Sequence, residues 1–378
     1  VTTKRVRRVL AALIGLLTLS VATPAHAAPQ PGLAGSDPAR RAVPGVDGLI
    51  ALRPDGKVFA TVSDDAVRLW TTATGRRAGA PLAEGAGPIY SIAFSSDGKL
   101  LAVAGDRGVS LWDPATGKPS GPPLTGHAGP VRSVVFSSAG PLMATAGDDG
   151  TVRLWNSRTG ILVRTLNGHA GALQSVVFSR DGSRLATAEA GDTVRLWQTG
   201  TGRPIGEPLT VSPGPVYAMS FSPDGHLFAA SGGGNAVRLW NPATGAPAGE
   251  PLVAGSGPVY TLTFSLGRKL LATSSGGDNT VHLWNTVTRR PVGAPLAGHT
   301  GPVRAMRFSK NGKLLATGSD DGTVRLWDPA TGSLEGAPLT GHAGRVWAVR
   351  ITPNGKRVIS AGADGKVRLW RVPKRNPA

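Results

Sequence analysis

Residues 303–332 read VRAMRFSKNGKLLATGSDDGTVRLWDPATG. Three short runs, 303–308, 314–317 and 323–327, are separated by Asn311-Gly312 and by Asp320-Asp321-Gly322. Glycine after Asn or Asp supplies the positive φ of a tight turn, because a side chain on Cβ resists that conformation. Runs of this length are too short for helices and suit strands, so the stretch reads as a three-strand meander with two-residue hairpin loops. Asp328-Pro329-Ala330-Thr331-Gly332 turns once more, and a weaker fourth segment runs to about residue 339.

Working outward, the same unit recurs along nearly the whole chain. Leu-Trp ends the third segment eight times, with tryptophan at Trp70, Trp112, Trp155, Trp197, Trp240, Trp284, Trp327 and Trp370. The first turn recurs as RPDGK, SSDGK, SRDGS, SPDGH and TPNGK. A period near 43 residues with four strand-like segments per copy is the signature of a propeller blade rather than a helical array. The expected fold is all-β: a single β-propeller of eight blades with four antiparallel strands each, seven blades being the alternative. In six copies the fourth segment reads AGAPL, SGPPL, IGEPL, AGEPL, VGAPL or EGAPL. Proline cannot donate to a ladder, so this segment belongs at the outer rim of each blade.

The eighth copy stops after its third segment, whereas residues 39–44 (ARRAVP) resemble a rim strand. This predicts a ring closed by the N-terminal segment completing the last blade. Ahead of it, Lys4, Arg5, Arg7 and Arg8 precede an apolar run over 9–21 and Ala25-His26-Ala27. That pattern fits a cleavable signal peptide over 1–27, with cleavage near Ala27 and a secreted or extracytoplasmic product. The expected layout is signal 1–27, flexible linker 28–38 and propeller 39–378.

Composition narrows the function. The chain has no cysteine, which excludes disulfides and thiolate metal sites. The net charge is +18, yet much of it is dispersed as the repeated arginine of VRLW: Arg68, Arg153, Arg195, Arg238, Arg325 and Arg368. An arginine two before the tryptophan shares its strand face, with an aliphatic stem able to pack and a head reaching water. Such charge supports weak attraction to an anionic cell-envelope surface and no specific nucleic-acid binding. No G-x-S-x-G elbow, H-E-x-x-H or nucleotide loop occurs, so no catalytic residue, cofactor or metal is expected.

These repeats resemble the WD40-repeat family, the propellers similar to the G-protein β subunit, over about residues 46–372. The resemblance implies a hydrogen-bonded tetrad of His, Ser/Thr, Asp and Trp within a blade. Three copies match it throughout: His127, Thr145, Asp149 and Trp155; His299, Thr317, Asp321 and Trp327; His342, Ser360, Asp364 and Trp370. The His-to-Asp separation is 22 residues each time. The fourth copy keeps His169 but has Gly191 in place of the aspartate; copies one, two and six keep Asp64, Asp106 and Asp278 without the histidine; the fifth lacks both. Repetition at fixed spacing marks these groups as structural rather than as a hydrolase triad.

Family geometry also implies that one position early in the first strand faces the mouth of the central channel. It holds Gly48, Tyr90, Arg132, Gln174, Tyr217, Tyr260, Arg304 and Trp347. All three tyrosines fall here, with the one tryptophan outside the Leu-Trp set. Large amphipathic residues of this kind dominate binding hot spots. The expected function is therefore an exported, monomeric, non-catalytic scaffold binding a protein or peptide through Tyr90, Arg132, Gln174, Tyr217, Tyr260, Arg304 and Trp347. The alternative is a small-ligand or hydrolytic propeller using the axial pocket. The absence of Asp, Glu and His from the mouth positions counts against a metal there.

Overall fold

The computed structural model describes residues 41–43, 49–63 and 65–373. The expected signal and linker segments, Gly48 and Asp64 lie outside them. The described chain forms eight antiparallel sheets and no helix. The seventh sheet shows the plan: Val303–Phe308 pairs with Leu315–Ser319, which pairs with Val324–Trp327.

Burial alternates along the strands as the pleat requires. In Val324–Trp327, Val324, Leu326 and Trp327 are buried while Arg325 is half-buried. The apolar faces of successive sheets pack together in eight clusters, one per interface. One joins Leu69 and Val67 of the first blade to Leu101 and Val103 of the second. Another joins Ile50, Phe59 and Trp70 of the first blade to Ala348, Ile359 and Leu369 of the eighth, closing the ring. The molecule is an eight-bladed propeller, not a seven-bladed one.

The N-terminal strand Arg41–Val43 completes the eighth blade, with Arg41 opposite Leu369 and Val43 opposite Val367. The last sheet thereby reaches four strands, three from the eighth copy and one from the N-terminal segment.

Two expectations change. Blades one, six and seven are three-stranded rather than four-stranded. In each, the fourth segment touches the third only through isolated bridges, such as Val324–Leu339 and Trp327–Leu334 in blade seven. Pro81, Pro295 and Pro338 precede the inner of these bridges, a placement shared by Pro208 and Pro251 of blades four and five, where the pairing extends to a two-residue strand. The first turn is also wider than a two-residue loop. The Ser309 N–H bonds the Leu314 carbonyl and the Gly312 N–H bonds the Ser309 carbonyl, leaving four residues between. Gly312 still takes φ +68°, the conformation for which the glycine is needed.

Candidate partner-binding site at the channel mouth

The mouth residues sit second in their strands, and the register explains how they are presented. In blade three Val131 pairs with Gly147 and Ser133 with Ala146, leaving Arg132 unopposed. The same skip isolates Tyr90, Gln174, Tyr217, Arg304 and Trp347. Each is a bulge residue, which turns its side chain out of the ladder, a device common at barrel rims and functional sites. In blade six the regular strand begins only at Leu262, so Tyr260 lies just ahead of it. All seven are half-buried.

Contacts run from blade to blade. The Arg132 guanidinium lies over the Tyr90 ring, Cζ 4.1 Å from its centroid. Tyr217 and Tyr260 meet with centroids 5.3 Å apart, and Arg304 covers Tyr260 at 3.7 Å. Blades two and three are thus linked at the mouth, and so are blades five, six and seven. Gln174 and Trp347 join neither stack. Trp347 packs against the cluster between blades eight and one, and its Nε1–H is buried without an acceptor among the described residues.

Three carboxylates that sequence reasoning assigned no role at the mouth complete the arrangement. Asp148 takes both nitrogens of the Arg132 fork, Nε to Oδ1 at 2.8 Å and Nη2 to Oδ2 at 2.5 Å. Asp320 accepts from Arg304 Nε and Nη2 at 3.0 and 2.8 Å. Asp106, expected as a tetrad remnant, instead accepts the Tyr90 hydroxyl proton at 2.8 Å. A signal for these partners existed: each lies 16 residues after its mouth residue. Burial, then the bond to Asp106, pushes the Tyr90 phenol up, and burial beside Tyr260 pushes Tyr217 up. Both hydroxyls are therefore protonated donors at neutral pH. The bond to Asp148 raises Arg132; for Arg304 burial is the largest single effect and lowers it, but the bond and charge of Asp320 together with Tyr260 raise it overall.

The tetrad residues come together in all three blades. Trp155 Nε1–H donates to Thr145 Oγ1 at 2.9 Å, the threonine hydroxyl lies 2.8 Å from His127 Nε2, and His127 Nδ1 lies 3.0 Å from Asp149. Blade seven repeats this with Trp327–Thr317 at 2.9 Å, Thr317–His299 at 2.7 Å and His299–Asp321 at 2.7 Å. Blade eight uses Ser360, 2.8 Å from both Trp370 Nε1 and His342 Nε2, with His342 2.9 Å from Asp364. A Ser-His-Asp line has the connectivity of a hydrolytic triad, but Ser360 is 0% exposed and its oxygen already accepts the indole proton. No substrate can reach it.

Tight approach explains the glycine before the Asp148-Asp149 pair. A Cβ on Gly147 would fall 2.6 Å from His127 Nδ1. In blade four His169 Nε2 meets Thr187 at 2.8 Å, but its buried Nδ1 has no hydrogen-bond partner among the described residues, Gly191 standing where the aspartate would be. The VRLW arginines are more engaged than a solvated reading implies: Arg153 Nη2 donates to the Gly126 carbonyl at 2.8 Å, and Arg368 reaches both Gly341 and Asp364. Among the described residues no group of three or more His, Cys, Asp or Glu could hold a metal ion.

The family model described as the IFT122 first beta-propeller matches residues 88–293, and that of the WD domain, G-beta repeat, matches 290–328 and 335–371. The chain belongs to the WD40-repeat β-propeller family. WD40 propellers generally act as protein-interaction scaffolds and are typically non-catalytic. Among solved structures, that of the computationally designed Ika8 protein is similar with a TM-score of 0.75 and 23% identity, over 87% of this chain and 96% of that one. That likeness is one of fold. No curated protein matches the chain.

Proposed function

We propose that this WD40 propeller is an exported, non-catalytic scaffold that captures a protein or peptide on the channel mouth formed by Tyr90, Arg132, Gln174, Tyr217, Tyr260, Arg304 and Trp347. The observation that carries the reading is the Tyr217–Tyr260–Arg304 stack, with Asp320 holding the guanidinium in place. Aromatic and arginine side chains ordered before binding lose little entropy when a partner arrives. Export rests on the basic leader, the apolar run and Ala25-His26-Ala27.

The test is affinity capture from the secreting cell's envelope fraction, using wild type and the Tyr217→Ala/Tyr260→Ala/Trp347→Ala variant side by side. A partner retained by wild type and lost from the folded variant supports the reading. Equal retention of every captured protein removes it. N-terminal sequencing of the exported chain should begin at Ala28.

A further inference from the structure

The far end of the axial channel, built from the ends of the first strands and the turns that follow, holds a cavity of about 760 Å³. Its charged lining residues are Arg53, Arg180, Arg307, Lys310 and Arg350; no aspartate or glutamate lines it. Arg53 is engaged by Asp55, with Nε at 2.9 Å and Nη2 at 2.7 Å. Arg307 and Arg350 have no carboxylate within ion-pair distance among the described residues.

These two arginines occupy one register position on neighbouring inner strands, opposite Ala316 and Ile359. The other six blades carry Ala51, Ala93, Val135, Val177, Ser220 and Thr263 there, all uncharged. At this register position the charge is therefore confined to one sector of the channel wall. Arg307 is exposed to the channel solvent, and Arg350 beside it is half-buried. Burial, then repulsion from Arg307, brings Arg350 down to about 10. Arg350 Nη1 donates to the Val349 carbonyl at 3.0 Å, which uses one of five guanidinium protons. Two like charges side by side in a partly desolvated site destabilise the fold unless an anion lies between them. Paired guanidinium forks match the geometry of phosphate or carboxylate oxygens. The volume is that of a small-ligand site.

We propose that this end of the channel is a second site, separate from the mouth, which binds a small polyanion carrying two adjacent phosphoryl or carboxylate groups between Arg307 and Arg350. It stands independently of the partner-binding reading.

The test is calorimetric titration of the full chain with sodium pyrophosphate, inorganic phosphate and citrate. Wild type and Arg307→Thr/Arg350→Ser are compared; the replacements are the side-chain types that blades six and five carry at this position. Pyrophosphate is expected to bind once per chain, more tightly than phosphate, and at least tenfold more weakly to the variant. Citrate binding in its place, with the same loss, assigns the site to polycarboxylates and supports it equally. The unliganded variant should melt no lower than wild type, since it loses a repulsion. The exposed pair Arg289→Ser/Arg290→Ser serves as control. Unsaturable heats, binding unchanged in the channel variant, or an equal loss in the control overturns the proposal.

Discussion

Arg304 lies over the ring of Tyr260 on the neighbouring blade, Cζ 3.7 Å from the ring centroid, while Asp320 accepts two of its protons. A contact that spans two blades and is gripped from behind by a carboxylate should couple energetically. A double-mutant cycle with Arg304→Ala and Tyr260→Ala, read by denaturant unfolding, should give a coupling of about 0.5–2 kcal/mol. Additive effects would mean that the stack contributes nothing to the mouth.

The N-terminal strand crosses nearly the full length of the chain to pair Arg41 with Leu369. Deleting residues 38–45 leaves the edge of the eighth blade uncovered. The melting temperature should fall by several degrees, and aggregation on heating should increase. An unchanged melting curve would refute the latch.

In blade four, His169 Nδ1 is buried without a hydrogen-bond partner among the described residues, and a Cβ on Gly191 would meet nothing within 4 Å. Gly191→Asp restores the 22-residue His-to-Asp spacing of the complete blades. It should stabilise the fold by about 1 kcal/mol, the scale of satisfying a buried polar group. A stability loss in thermal unfolding would show that the carboxylate cannot reach the ring.

Acid should act in two steps. Burial lowers His127 and His169 below the 6.5 of a free imidazole, so the unfolded chain takes up protons first and stability declines as pH falls from 6.5. Burial alone would raise Asp149 and Asp364. Hydrogen bonds, from the Ala128 N–H and His127 to the first and from His342 to the second, hold both at about 2. Their contribution, about 2 kcal/mol each, is full above pH 3.8 and fades as pH falls towards 2. Urea midpoints measured from pH 8 to 2 should show both declines, and Asp149→Asn should weaken the second.

Much of this was legible in the chain because a propeller repeats its instructions. Leu-Trp at a near-constant step located the third strands, and Asp-Gly or Asn-Gly located the first turns. Proline in the rim segment was visible, but it does not decide the extent of pairing: beside Pro81, Pro295 and Pro338 there are bridges, whereas Leu252–Val253 of blade five forms a short strand beside Pro251. The bulges at Arg132 and its equivalents escaped because alternation of apolar residues does not show which residue lacks a cross-strand neighbour. The Asp148-Asp149 doublet was read for its second member alone. Two spacings tell its members apart, 22 residues from His127 to Asp149 and 16 from Arg132 to Asp148.

Photo-crosslinking tests the binding reading most directly. A benzophenone side chain is placed either at 217 on the mouth or at 287, where Val287 is 62% exposed, and the exported chain is irradiated in intact cells. The account requires a discrete adduct from position 217, absent from 287 and lost when Tyr260 and Trp347 are also alanine. Adducts from 287 with none from 217 would contradict it.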